Sequence, residues 1–143
     1  IYSMPILTTL NLSNNLFSGN VVQFSSDLLN YLNLSYNSFT GTLNELFKYQ
    51  LRVYTLDISN NIFYGTIPSQ RGLLNSVRSF DASNNQISGP IPDLSNMENL
   101  LDFFISNNQL EQSLEEALQN LNSSNLLQTI DLSYNIFSGT VPS

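Results

Sequence analysis

The apolar residues of this chain recur in a long-period pattern. One phrase, L-x-x-L-x-L-S-x-N-x-Φ-x-G-x-Φ, in which Φ is apolar, occurs six times and begins at residues 7, 29, 53, 77, 100 and 127. Successive copies are therefore 22, 24, 24, 23 and 27 residues apart. Repeats of that length predict a solenoid, in which each unit packs only against its neighbours. Positions are numbered below from the first residue of each copy.

Within each copy, the apolar residues at positions four and six alternate with other residues. That alternation is typical of a short strand with one face in the core. Stacked copies then predict a parallel sheet on the concave face, with 3₁₀ or irregular chain on the convex face. The alternating pairs are Leu10 and Leu12, Leu32 and Leu34, Leu56 and Ile58, Phe80 and Ala82, Phe103 and Ile105, and Ile130 and Leu132.

Position nine is Asn in every copy. An inward amide both donates and accepts hydrogen bonds, so it can satisfy backbone groups that a buried turn leaves unpaired. Six identical residues at the repeat spacing serve the stack and not one ligand, so we predict a structural ladder. Its members are Asn15, Asn37, Asn61, Asn85, Asn108 and Asn135.

The fifth copy departs from the others. Gln112 stands at position thirteen, where the other five copies have Gly. The segment that follows contains Ser113 and Glu116 at the spacing of a helix capping box, and then a run of helix formers. We therefore predict one α-helix near residues 114–121, on the convex face.

Three stretches carry a more specific resemblance. They read Ser-Asn-Asn-Ile-Phe-Tyr-Gly-Thr-Ile-Pro at 59–68, Ser-Asn-Asn-Gln-Ile-Ser-Gly-Pro-Ile-Pro at 83–92 and Leu-Ser-Tyr-Asn-Ile-Phe-Ser-Gly-Thr-Val-Pro at 132–142. They resemble the plant-type leucine-rich repeats of receptor-like kinases, receptor-like proteins and polygalacturonase-inhibiting proteins. The resemblance implies an α/β leucine-rich repeat solenoid that is secreted or at the cell surface and recognises a protein, peptide or glycan. The paired cysteines that cap many extracellular members are missing.

Composition narrows the range of functions. The formal charge is −7, which is the wrong sign for binding a nucleic acid backbone. The chain has neither His nor Cys, so it lacks the commonest general base, metal ligands and thiol nucleophile. We therefore expect no catalysis, metal site or cofactor. No apolar run is long enough to span a membrane.

Polar and aromatic residues on the predicted concave face are the candidates for binding. At position five, Asp57 and Asp81 fall on adjacent strands, about 5 Å apart. Their repulsion would raise one pKa or attract a cation, although a solvated acidic patch that a partner can bind is the simpler interpretation. Exposed aromatic residues are good anchors, or else they cover neighbouring strands. The candidate binding residues are Tyr31, Tyr36, Asp57, Asp81, Asp102, Phe104, Asp131 and Tyr134.

Three Asn-x-Ser/Thr sequons are candidate glycosylation sites: Asn11, Asn33 and Asn122. The first two follow from the repeat itself, because Ser occupies position seven and any Asn at position five completes a sequon. Asn122 lies outside that frame and is the more informative site.

The 143 residues are predicted to form a single domain that belongs to a longer solenoid, because the chain begins and ends part-way through a copy. The leading function is an extracellular recognition module. The alternatives are an inhibitor of a secreted hydrolase and a structural solenoid whose copies associate end to end into filaments.

Overall fold

The computed structural model describes residues 4–21, 28–47, 52–68, 75–95, 97–122, 124 and 126–141. Its elements in chain order are β1 (Thr9–Asn11), β2 (Ser18–Asn20), β3 (Tyr31–Asn33), β4 (Ser38–Thr42), α1 (Leu43–Phe47), β5 (Thr55–Asp57), β6 (Ile62–Gly65), β7 (Ser79–Asp81), β8 (Gln86–Gly89), β9 (Asp102–Phe104), β10 (Gln109–Leu110), α2 (Leu114–Asn122) and β11 (Thr129–Asp131).

Positions three to five of each copy form the concave sheet. Its strands are all parallel and lie in the order β1-β3-β5-β7-β9-β11. Equivalent positions stand opposite each other, as in the pairing of Leu56 with Phe80 and of Phe80 with Phe103. The predicted leucine-rich repeat fold with one parallel concave sheet is therefore confirmed.

A second parallel sheet runs beside the first and was not predicted. It has the order β10-β8-β6-β4-β2 and is built from positions ten to fourteen. Its register is offset, because the Gly at position thirteen of one copy lies opposite position eleven of the next copy. Gly89 has a φ of 76°, and a Cβ there would lie 3.0 Å from Thr66 Cγ2. Glycine thus serves both the turn and a close approach between copies.

The core lies between the two sheets and the convex chain. Positions one, four, six and eleven are buried in the inner copies, and the rings of Phe80 and Phe103 lie 5.9 Å apart. The first and last copies have a neighbour on one side only within this chain. Their equivalents are more open, as shown by Ile130 and Phe17, both about 43% exposed.

The position-nine Asn residues link each copy to the preceding one. Asn85 Nδ2 donates to the carbonyl of Ile58 at 3.0 Å, and Asn85 Oδ1 accepts from the N–H of Phe63 at 2.9 Å. Nδ2 also donates to the carbonyls of Ala82 and Ser83 in its own copy. The same pattern recurs around Asn37, Asn61, Asn108 and Asn135.

Both helices begin with a side-chain cap. The predicted helix is present as α2, and the hydroxyl of Ser113 accepts from the N–H of Glu116 at 3.2 Å. The shorter helix α1 was not predicted. There, Thr42 Oγ1 accepts from the N–H of Glu45, and Glu45 Oε2 accepts from the N–H of Thr42. That reciprocal pair is a capping box whose Thr-x-x-Glu spacing is visible in the sequence. No helix in the described part is long and apolar enough to cross a membrane.

Candidate recognition surface

The concave sheet presents positions three and five to the outside, because position four points into the core. In the inner strands, position four is buried and both flanking residues are half-buried. Along position five, Asp57 lies opposite Asp81, Asp81 opposite Phe104, and Phe104 opposite Asp131. We call Asp57, Asp81 and Asp131 the acidic column.

Each residue of the acidic column closes a turn. Asp57 Oδ1 accepts from the N–H of Ser59 at 3.0 Å and from its hydroxyl at 2.7 Å. Ser83 and Ser133 donate in the same way to Asp81 and Asp131. These contacts are Asx turns, in which a short side chain satisfies the backbone two residues on. A structural role for position five was missed, although the spacing between Asp or Asn and Ser was a usable signal.

The acidic residues differ in electrostatic surroundings. The pKa of Asp81 is raised, mainly because burial disfavours the charged carboxylate, while repulsion from Asp57 and Asp131 adds to the shift. The pKa of Asp131 is lowered, mainly because Ser133 donates hydrogen bonds to its ionised form. No group of three or more carboxylates within the described ranges could hold a metal ion.

Two tyrosines stand where the backbone is left-handed. Position eight has a φ between 53° and 57° in all six copies. It is Asn in four copies, but Tyr36 and Tyr134 occupy it in the second and sixth. Asn tolerates this conformation, whereas a bulky residue is unusual there. Both rings are nevertheless turned toward solvent, with 56% of Tyr36 and 85% of Tyr134 exposed.

The remaining candidates are less accessible. Tyr31, Asp102 and Phe104 are half-buried on β3 and β9. The hydroxyl of Tyr31 accepts from Asn33 Nδ2 at 3.3 Å. Since that contact lies within one strand, Tyr31 partly covers its own sheet.

The three sequons differ in accessibility. Asn11 and Asn122 are exposed. Asn33 is half-buried, and its Oδ1 accepts from both the N–H and the hydroxyl of Ser35. The structure thus separates two exposed sequons from one that is half-buried.

Sequence reasoning also missed a groove at the border where the chain enters the concave sheet. The groove encloses about 430 Å³ and is lined by Thr8, Leu28, Asn30, Arg52, Tyr54 and Ser76. Beside it, the guanidinium carbon of Arg78 lies 5.2 Å from the ring centre of Tyr54. We call this feature the border groove.

A family model for the Leucine Rich Repeat matches residues 7–28, 28–49, 76–97 and 126–143, which is more than half of the chain. The chain is a leucine-rich repeat protein. No curated protein sequence gives a significant match to it.

Solved leucine-rich repeat structures from plants share its fold. The plant peptide hormone receptor RGFR1, in complex with RGF2, is 32% identical over 95% of this chain and 22% of its own, with a TM-score of 0.80. The Arabidopsis receptor kinase HAESA, in complex with the peptide hormone IDA and the co-receptor SERK1, is 32% identical over 92% of this chain and 22% of its own, with a TM-score of 0.74. The BIR2 ectodomain from Arabidopsis thaliana is 28% identical over 91% of this chain and 68% of its own, with a TM-score of 0.72.

Proposed function

We propose that this leucine-rich repeat chain is an extracellular recognition segment of a plant receptor, and that its concave face binds a peptide or a protein. The observation that carries the proposal is the placement of Tyr36 and Tyr134. Backbone strain at an exposed residue costs stability, so a strained aromatic side chain that faces solvent points to a role outside folding. Tyrosine also buries a large area at a small cost in side-chain entropy.

The structural relatives support the same class of partner. RGFR1 and HAESA were solved with peptide hormones, and HAESA also with a co-receptor. The chain spans 22% of each of those proteins, so any shared ligand is part of this proposal.

The acidic column indicates the charge of the partner. Asp57, Asp81 and Asp131 all lie at position five of a chain with net charge −7. Their Oδ1 atoms are used in turns, but a carboxylate has a second oxygen and keeps its charge. A partner with Lys or Arg side chains would therefore be favoured by electrostatic complementarity.

Selection from a random 12-residue phage-displayed peptide library against the 143-residue chain tests the proposal. Selected peptides should be rich in Lys or Arg, and the double variant Tyr36→Asn and Tyr134→Asn should bind them at least tenfold more weakly. Because Asn suits the left-handed position, that variant should be as stable as the parent or slightly more stable. Lost binding cannot then be blamed on unfolding.

Tyr64→Ser is the matched control. Tyr64 is comparably exposed, at 48%, but it belongs to β6 of the second sheet. Its substitution should leave peptide binding unchanged. Unaltered binding to the double Asn variant, or failure to select any peptide, would overturn the proposal.

Recognition of a glycan, inhibition of a secreted hydrolase and end-to-end association remain predictions from the sequence. Occupied glycans at the exposed Asn11 and Asn122 would accord with a secretory route.

A further inference from the structure

The border groove is built from two rows of side chains that repeat with the solenoid. One row consists of the second residues of copies one to three, which are Thr8, Asn30 and Tyr54. The other row consists of the residues that immediately precede copies two to four, which are Leu28, Arg52 and Ser76. Equivalent residues of neighbouring copies are about 4.8 Å apart in a parallel sheet, so the groove runs along the solenoid and across the strands.

The backbone along the first row is already hydrogen-bonded. The N–H of Asn30 donates to the carbonyl of Thr8 at 2.8 Å, and the N–H of Tyr54 donates to the carbonyl of Asn30 at 2.7 Å. The carbonyl of Tyr54 in turn accepts from the N–H of Arg78 at 2.8 Å. A peptide that joins a sheet as an added strand needs such groups unpaired. Recognition in the groove therefore depends on side chains.

Four of the lining side chains are polar and open to a ligand. Within the described ranges, no hydrogen bond or ion pair engages the side chains of Thr8, Asn30, Arg52 and Ser76. Together they offer two hydroxyl groups, an amide and a guanidinium group, so the groove can both donate and accept hydrogen bonds. Three of the four are uncharged. This set suits a ligand with many neutral hydroxyl groups, because each hydroxyl also donates and accepts.

Tyr54 supplies an aromatic surface beside these polar groups. It is 47% exposed, and the guanidinium carbon of Arg78 lies 5.2 Å from the centre of its ring, within the range of a cation–π contact. Arg78 is not part of the groove lining, so it supports the ring without filling the groove. A ring held in this way is a platform on which a flat apolar surface can stack.

A sugar ring combines both kinds of contact that the groove offers. Its C–H groups form an apolar face that packs on an aromatic ring, and its hydroxyl groups lie around the edge. The groove encloses about 430 Å³, which is in the range of sites for small organic ligands. In an extended β-1,4-linked chain, each sugar is nearly as long as the spacing between strands, about 5 Å. Successive sugars would therefore meet equivalent positions of successive copies.

We propose that the border groove binds a neutral β-1,4-linked oligosaccharide along the solenoid, with one sugar ring stacked on Tyr54 and the adjoining hydroxyl groups bound by Arg52 and Asn30. The site is separate from the tyrosines of the proposed peptide surface. Tyr36 and Tyr134 lie at position eight, which follows the concave strands, whereas the groove lies where the chain enters them. The protein would thus recognise a glycan independently of a peptide.

The test is an NMR titration of the isotope-labelled 143-residue chain with the β-1,4-linked trisaccharides of glucose and of mannose, each used separately. At least one of them should shift the backbone N–H signals of Asn30 and Tyr54 and the Nε–H signal of Arg52 in a saturable way. The α-1,4-linked trisaccharide of glucose is the matched control. It has the same composition as its β-linked isomer but a curved chain, so it should bind several-fold more weakly.

Variants identify the groups that hold the sugar. Tyr54→Ser should weaken binding about tenfold, because stacking on the aromatic ring is lost. Tyr54→Phe should keep most of the affinity, since the ring remains. Arg52→Gln should weaken binding about threefold, because Gln has fewer donors. Tyr64→Ser should have no effect, although Tyr64 is comparably exposed on β6. The urea midpoints of these variants should match that of the parent, because the substituted residues are exposed.

The Tyr36→Asn and Tyr134→Asn variant should bind the trisaccharides as the parent does. Loss of sugar binding in that variant, or full affinity in Tyr54→Ser, would overturn the groove assignment. Failure of both β-linked trisaccharides to give saturable shifts, or equally tight binding of the α-linked control, would also overturn it. None of these results bears on the peptide surface, which is tested by peptide selection.

Discussion

The fourth and fifth repeats share their inner half and differ in their outer half. In both, position four is a buried Phe, and position nine is an Asn with the same set of hydrogen bonds to the preceding copy. The chain then diverges at position thirteen. Gly89 has a positive φ and leads into Pro90–Pro92, which lies outside helix and strand, whereas Gln112 leads into α2. The inner frame therefore tolerates different outer connections.

The different outer connection of the fifth repeat has structural costs. Gln112 does not have the positive φ of the glycines at position thirteen. The second sheet ends at β10, and beyond it only an isolated bridge joins Ser113 to Ser138 within the described residues. The amide nitrogen and oxygen of Gln112 are both buried without a hydrogen-bond partner among the described residues. In compensation, Asn120 of α2 donates to the carbonyl of Ile91 at 2.7 Å and so ties the helix to the fourth repeat.

Removing the position-nine Asn, which both repeats share, should have the largest effect on the free energy of unfolding. Asn85→Ala and Asn108→Ala should each lower the free energy of unfolding by about 3 kcal/mol, because buried backbone groups would lose their partners. Urea denaturation measures the loss, with the exposed Asn44→Ala as control. If the comparison is right, the two losses agree within about 0.5 kcal/mol, whatever the outer connection. A loss below about 1 kcal/mol at both sites would contradict a structural ladder.

Position thirteen should separate the two repeats. Gly89→Ala should cost about 2 kcal/mol, because a left-handed backbone disfavours Ala and the added Cβ would crowd Thr66. Gly19→Ala is a control for the backbone alone, since its φ is 84° and no atom lies within 4 Å of the new Cβ. It should cost about 1 kcal/mol. Equal losses at both glycines would show that the contact with Thr66 is unimportant.

Gln112 should be the position where substitution stabilises the fifth repeat. Gln112→Met keeps the length of the side chain and removes the unpaired amide, so it should raise the free energy of unfolding by about 1 kcal/mol. Gln86→Met on the exposed side of β8 should change little. A destabilised Gln112→Met protein would mean that the amide has a partner.

The smallest effect concerns position five, which is Asp81 in the fourth repeat and Phe104 in the fifth. Because burial raises the pKa of Asp81 in the folded state, its ionised form opposes folding at neutral pH. That cost disappears as the pH falls through the raised pKa. Asp81→Asn keeps an oxygen for the turn, so it should stabilise the protein slightly at pH 7 and give no gain near pH 3.

Asp131→Asn should change the stability at pH 7 in the opposite direction. The lowered pKa of Asp131 means that its ionised form favours folding, so the variant should be less stable at pH 7, and the difference should begin to shrink only as the pH falls below the ordinary value of 3.8. Thermal unfolding from pH 3 to 7 distinguishes the pair. The same sign for both variants would contradict the assigned causes of the two shifts.

The inner half of the repeat was predictable because it has a period. Apolar residues at positions four and six and Asn at position nine occur in all six copies. A regular spacing of apolar residues indicates which side chains are buried. The second sheet was not predicted although positions eleven and thirteen also recur, because its pairing depends on an offset register between copies that the repeat spacing does not specify. The short helix α1 and the Asx turns had local signals, namely Thr42 with Glu45 and Asp57 with Ser59, that were not used.

The candidate site was predictable in part for the same reason. The acidic column follows from the strand register, so Asp57 beside Asp81 was expected from spacing. The border groove lies outside the fixed positions of the repeated phrase and joins residues of three copies, among them Thr8 and Ser76. The residues that line the groove differ in type from copy to copy. The sequence of a single copy therefore does not predict the groove.

The hydrogen bonds of the position-nine Asn residues all point backward along the chain. Asn61 Nδ2 donates to the carbonyl of Leu34, and Asn61 Oδ1 accepts from the N–H of Phe39, both in the preceding copy. Each turn of the solenoid is thus completed by the turn that is synthesised after it. During translation, a repeat that has left the ribosome keeps unpaired groups until the next Asn emerges, so the protein should mature one turn behind its own synthesis.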